Sequence, residues 1–183
     1  AVTSEAERQA RQAIRSTKKQ RPDAKILVTG CAAQIDPKKW MNMSEVNYVV
    51  GNKEKLDGSF WKNFEELDCH KSDKGLFVSD IMKVKETSEH LIDSFNHHTR
   101  GFVQVQNGCD HRCTFCIIPF GRGPSRSVST QIIINSINSL LKNGVKEIVL
   151  TGVDLTSWGN DIFGKPSLGI LVKKILKNIP NLP

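Results

Sequence analysis

At 183 residues, with 38% hydrophobic and 25% charged side chains, the chain has room for one domain or two small ones and the composition of a folded protein. No apolar run approaches the ~20 residues that cross a bilayer, and no charged-then-apolar leader opens the sequence, so a cytoplasmic chain is expected. The net charge of +7 suits a polyanionic partner, because lysine or arginine placed on a phosphate releases counterions; a merely basic surface accounts for it equally well.

The first predicted element is a helix over residues 5–20, opened by a capping box in which Ser4 accepts a backbone N–H and Glu7 reaches back, and ended before Pro22. Residues 25–30 read as a short strand that places Cys31 at its C-terminal end, and residues 47–51 as a second strand. One or two helical turns are expected within residues 52–67, with Trp61 and Phe64 facing inward. This alternation points to a small α/β domain with a parallel sheet. Between residues 68 and 98 come strand-like pieces such as 76–79, then the polar run 83–89 and Asn96-His97-His98, all read as a connection.

The third region opens near Phe95. A strand over 102–106 leads into three closely spaced cysteines and the glycine-rich, cationic segment 121–127. Ser129 or Thr130 caps a helix whose Ile133, Ile137, Leu140 and Leu141 share one face, and Asn143-Gly144 ends it. Residues 146–152 read as a buried strand and 168–178 as another amphipathic helix. Together these give βαβα, the repeating unit of a parallel barrel. The expected organisation is a first domain over 1–66, a connection over 67–94 and a second domain over 95–183.

Five cysteines, an odd number and partly clustered, argue against a disulfide framework. Cys109, Cys113 and Cys116 lie in the spacing C-x3-C-x2-C after a strand. Three thiolates in eight residues can hold three irons of a [4Fe–4S] cluster and leave the fourth open to a substrate or cofactor; purely electron-carrying clusters usually take four cysteines. Zinc is the competing reading, and His111 or Cys31 would have to complete its four ligands. Cys69-His70 has no partner at suitable spacing, and His97-His98 reads as linker.

The string NGCDHRCTFCIIPFGRGPSRS at 107–127, with its aromatic Phe115, resembles the radical S-adenosylmethionine (SAM) superfamily, and within it the tRNA methylthiotransferases, most of all those acting on N6-threonylcarbamoyladenosine. VTGCAAQ at 28–34 is similar to that family's N-terminal domain, and LTGVDLTSWG at 150–159 to the second strand of its barrel. The resemblance implies an α/β chain: the remainder of a small parallel N-terminal domain, then the first two βα units of a partial TIM barrel. The family's barrel continues further and is followed by an RNA-binding β-domain, so this chain is expected to be a fragment.

The resemblance also implies site roles. Cys109, Cys113 and Cys116 would hold a cluster whose open iron binds the amino and carboxylate groups of SAM, with SAM serving as both radical source and methyl donor. Phe115 would pack near the SAM adenine; on the residues alone, core packing is equally good. Asp154, at a barrel-strand end, is a candidate polar contact for SAM or a plain strand-to-loop cap. The segment 121–126 would contact substrate or form a simple turn. Cys31 matches the third ligand of a second [4Fe–4S] cluster, whose other two cysteines would lie upstream, so in this chain a thiol without a cluster is expected. The implied partners are tRNA and an electron donor such as a flavodoxin or ferredoxin. The implied function is methylthio transfer to adenosine beside the anticodon. The alternatives are a non-catalytic iron–sulfur or zinc module that binds RNA, or an inactive remnant of a disrupted gene.

Overall fold

The computed structural model describes residues 2–70, 74–85, 99–180 and 182, with the side chains of 65–70 excepted. The Cys69 thiol, the His70 ring, residues 86–89 of the polar run and Asn96-His97-His98 therefore lie outside the described residues. The chain divides into two compact units, Ala1–Val84 with His111–Gly123, and Lys85–Asp110 with Pro124–Pro183.

The first unit carries a parallel three-stranded sheet in the order β1 (Leu27–Thr29), β2 (Tyr48–Val50), β3 (Gly75–Phe77). All three residues of β2 are buried, as a central parallel strand covered on both faces requires. β3 falls in the stretch read as a connection and extends the sheet from β2. Helix α1 (Ser4–Gln20) begins one residue earlier than expected. Thr3, not Ser4, is its cap: Thr3 has extended backbone angles, and its Oγ1 accepts the Ala6 N–H at 3.2 Å. Glu7 instead meets Lys39 Nζ at 2.6 Å and Arg11 at 3.4 Å. α1 rests on the sheet through Ala10 and Ile14, against a core that includes Trp40, Val46 and Val49.

Three short helices and one longer one complete the unit: α2 (Cys31–Ile35), α3 (Pro37–Met41, capped by Asp36), α4 (Gly58–His70) and α5 (Ile118–Arg122). α4 is a helix of 13 residues where one or two turns were expected. Its Phe64 packs edge-on to Tyr48 of β2, with ring centroids 4.9 Å apart, and Phe60 does the same to Phe77 of β3 at 5.4 Å. Trp61 does not face inward. It is 36% exposed because, one step after Phe60, it is turned by about 100° around the helix, and its indole N–H donates to the Lys55 carbonyl at 2.9 Å.

The second unit is built on β4 (Arg100–Gln104) and β7 (Glu147–Thr151), which pair in parallel with Val103 opposite Leu150. Helix α6 (Thr130–Lys142) connects them, and α7 (Leu168–Asn178) follows. Ser129 caps α6 and Ser167 caps α7, and Gly144 at φ +87° takes the left-handed turn after α6. Ile133, Ile137, Leu140, Leu171 and Trp158 fill the core, each at most 1% exposed. A two-residue antiparallel ladder between β5 (Gln106–Asn107) and β6 (Arg126–Ser127), unforeseen from the sequence, pins the segment after the cysteine loop to the segment before it. The mixed α/β, parallel-sheet architecture is the expected one. Among the described residues no helix is long and apolar enough to cross a membrane.

Candidate cofactor site

The loop's entry is built in the second unit by one buried amide. Gln106 is fully buried; its Nε2 donates to the Gly108 carbonyl at 2.7 Å, to Ser125 Oγ at 2.9 Å and to the Asn107 carbonyl at 3.2 Å. Its Oε1 accepts the Asp154 N–H at 2.8 Å. Gly108 has φ +76°, and its N–H is held by Asn107 Oδ1 at 2.9 Å, so the chain turns sharply into Cys109. Beyond Cys109, Asp110 Oδ1 accepts the Ser125 N–H at 3.0 Å. Arg126 is buried: desolvation pushes its guanidinium down from the ordinary value, while the nearby carboxylates Asp110 and Asp161 act the other way.

Cys109 and Cys116 are half-buried and Cys113 is exposed; none is in a disulfide. The Cys116 N–H donates to the Cys113 carbonyl at 3.0 Å, which closes a turn carrying two of the three thiols. Phe115 on this turn is 91% exposed, so it is not a core residue. Among the described residues no three His, Cys, Asp or Glu side chains stand gathered as a metal site. The donor chemistry nevertheless suits an iron–sulfur cluster: three thiols on one eight-residue stretch, each reachable from solvent. Asp154 is half-buried, and its carboxylate accepts from Thr156 Oγ1 at 2.7 Å and Ser157 Oγ at 2.5 Å. It thus ties down the 3-10 turn Leu155–Ser157 after β7.

Cys31 belongs to the first unit, as do Cys113 and Cys116. It is 5% exposed at the start of α2, after Gly30 at φ +108°. Its surroundings are organised by Asn52, whose Nδ2 donates to the Gly121 carbonyl at 2.5 Å and stands 4.0 Å from Cys31 Sγ, and by Gln34, whose Oε1 accepts the Asn52 N–H at 2.8 Å. Burial pushes the Lys55 ammonium below its ordinary range; Arg122 adds to that and Cys31 opposes it. Among the described residues Cys31 is not grouped with two further thiols.

Gln106 and Asn52, which organise these two places, were missed from the sequence. Gln106 left one signal: like Gln104 it is an uncharged amide in a partly apolar strand, and it stands two residues before Gly108. Asn52 left none, because its partners Cys31 and Gly121 are distant in sequence.

Residues 103–179 match the Radical SAM superfamily, and residues 1–51 match an uncharacterized protein family, UPF0004. The chain is 50% identical over 182 residues to the threonylcarbamoyladenosine tRNA methylthiotransferase MtaB of Rickettsia prowazekii (strain Madrid E), a match covering 100% of this chain and 41% of the relative. It is 39% identical over 163 residues to the protein of that name from Bacillus subtilis (strain 168), covering 88% of this chain and 35% of the relative. The ribosomal protein uS12 methylthiotransferase RimO of Prochlorococcus marinus (strain MIT 9312) is 33% identical over 156 residues, 83% of this chain and 33% of the relative. A parallel βαβα unit opened by a three-cysteine loop and matched in this way is a radical SAM domain. With UPF0004 preceding it and relatives along its length that are named as methylthiotransferases of tRNA or of a ribosomal protein, the chain is similar to the radical SAM methylthiotransferases. It spans well under half the length of the curated relatives it matches.

Proposed function

We propose that this chain forms part of an enzyme that adds a methylthio group to N6-threonylcarbamoyladenosine beside the anticodon of a tRNA. The observation that carries the reading is the C-x3-C-x2-C loop at the C-terminal end of the first strand of a parallel βαβα unit, in a chain 50% identical to a protein named for that reaction. Active sites of parallel barrels gather at that end of the strands.

Cys109, Cys113 and Cys116 would hold the [4Fe–4S] cluster as thiolates, three protein ligands in all. A bound cluster together with SAM supplies one-electron cleavage of a carbon–sulfur bond. The chain's own residues do the rest. The exposed Phe115 ring offers a flat apolar face to the SAM adenine. Asp154 shapes the turn after β7, and its carboxylate is the acceptor at that strand end toward which a SAM hydroxyl or amino group would be directed. Cys31, one thiol where a cluster takes three or four, holds none by itself in this chain. The positive charge suits tRNA, and a flavodoxin or ferredoxin would deliver the electron.

Anaerobic reconstitution with iron, sulfide and SAM tests the reading. About four irons per chain with cleavage of SAM supports it, since a full cube is what three thiolates and an open corner produce. Metal bound without cleavage indicates a binding module, and no metal bound overturns the assignment.

A further inference from the structure

We propose that Gln106 is a positioning residue for the cluster loop: one buried amide locks the backbone before Cys109 to the end of β7. The inference rests on reading Cys109 as a cluster ligand, and it adds a residue that does not itself touch the cluster or SAM.

Three observations converge on it. First, the side chain is fully buried, and every polar atom is engaged. Its two amide hydrogens go to Gly108 O and Ser125 Oγ, the shortest of its donor contacts, with Asn107 O a longer third acceptor, and Oε1 takes the Asp154 N–H. Rotating the amide by half a turn would set its oxygen against the Gly108 carbonyl, so only one orientation satisfies the set. Second, these bonds join three separate segments: the turn into Cys109, the segment after the loop at Ser125, and the start of the Asp154 turn. Third, the room is fitted to this side chain. A Cβ at Gly152 would stand 2.9 Å from Leu155 Cδ2, 3.0 Å from Gln106 Oε1 and 3.2 Å from Gln106 Cβ, tighter than nearly all real contacts. Glycine at 152 thus leaves space for the amide and for Leu155 together.

A ligand's outer partners fix its approach to the metal, and losing one typically weakens retention by roughly 10–100-fold. Gln106→Met fills similar space without donors or acceptor. Gln106→Glu keeps an acceptor for the Asp154 N–H but sets a carboxylate against the Gly108 carbonyl. Leu171→Ala is the control: Leu171 is fully buried in the same unit and has no part in these bonds, so its loss lowers stability alone.

The experiment uses the 183-residue chain and two readouts: loss of the reconstituted cluster to a chelator, and backbone hydrogen exchange of the metal-free chain. Expected is cluster loss about tenfold or more faster in both Gln106 variants. Exchange should rise locally at residues 107–110 and 152–155, while Leu171→Ala retains its cluster like the unaltered chain. Equal retention in all four proteins overturns the proposal, as does faster loss in Leu171→Ala matching that of the Gln106 variants. If the unaltered chain takes up no cluster, the ligand reading falls by itself. The exchange pattern then decides for Gln106 alone: a local rise supports the anchor, and a uniform rise overturns it.

Discussion

Replacing Gly121 with alanine tests the packing around Cys31 directly. The added Cβ would lie 2.9 Å from Cys31 Cβ, 3.3 Å from its Cα and 3.4 Å from its Sγ, where ordinary contact begins at 3.4 Å. Roughly half an ångström must therefore be found between two backbone segments, neither of which is loose. The Gly121 carbonyl holds the Asn52 amide, and Gly30, just before Cys31, accepts the Gln34 N–H at 2.9 Å. Overpacking of this kind costs about 1–3 kcal/mol. Alanine's better helix propensity returns at most about 1 kcal/mol. A net loss of about 1–2 kcal/mol should lower Tm by about 2–8 °C, read by thermal unfolding followed by circular dichroism. The second-site pattern is sharper. Cys31→Ala keeps the offending Cβ and should not rescue Gly121→Ala, whereas Cys31→Gly removes it. The double-mutant cycle with Cys31→Gly should therefore show a coupling of about 1 kcal/mol or more. Gly58→Ala, where a Cβ meets nothing within 4 Å, should cost nothing. Rescue by Cys31→Ala equal to that by Cys31→Gly, or a Gly121→Ala variant as stable as the parent, would refute the reasoning.

Other substitutions probe separate parts of the account. Trp158→Phe removes the indole N–H that donates to the Val128 carbonyl at 3.1 Å inside the core, and should cost about 1–3 kcal/mol in urea unfolding. Phe115→Ala should leave stability within about 0.5 kcal/mol, the ring being exposed, yet weaken SAM binding to the reconstituted chain by about 1 kcal/mol in calorimetry. Lys55→Met should stabilise at neutral pH. Burial holds the Lys55 ammonium below its ordinary range, so the charged form is penalised in the fold and the unfolded chain binds that proton more tightly. The native lysine therefore gains stability as pH climbs from its lowered folded value toward the ordinary lysine value of about 10.4, and the advantage of methionine should shrink over that window in urea titrations.

The helices of the second unit were legible nearly to the residue because their boundaries are local chemistry. Ser129 caps α6, Gly144 ends it, and Ile133, Ile137 and Leu140 repeat at helical spacing. The strands were found, but β1, β2 and β7 run shorter than their apolar runs and β4 lies two residues earlier than expected, since pairing with a neighbour, rather than composition, sets their ends. Trp61 was misplaced because three aromatics lie within five residues of α4 and only Phe60 and Phe64, four apart, can share the face against the sheet. Thr3 and Ser4 are both competent caps, and only the backbone angles choose between them. The three closely spaced cysteines proposed as ligands stand out in the sequence by their spacing. The bonds that fix their loop do not, since Gln106 reaches Ser125 and Asp154 across the fold.

The central claim is that Cys109, Cys113 and Cys116 hold a cluster with one iron open to SAM. Electron paramagnetic resonance of the anaerobically reconstituted and reduced chain, recorded with and without SAM, tests it most directly. The account predicts a cluster signal that shifts when SAM is added, persists in Cys31→Ala and is lost in Cys113→Ala. A signal indifferent to SAM, or one that survives the loss of Cys113, would contradict it.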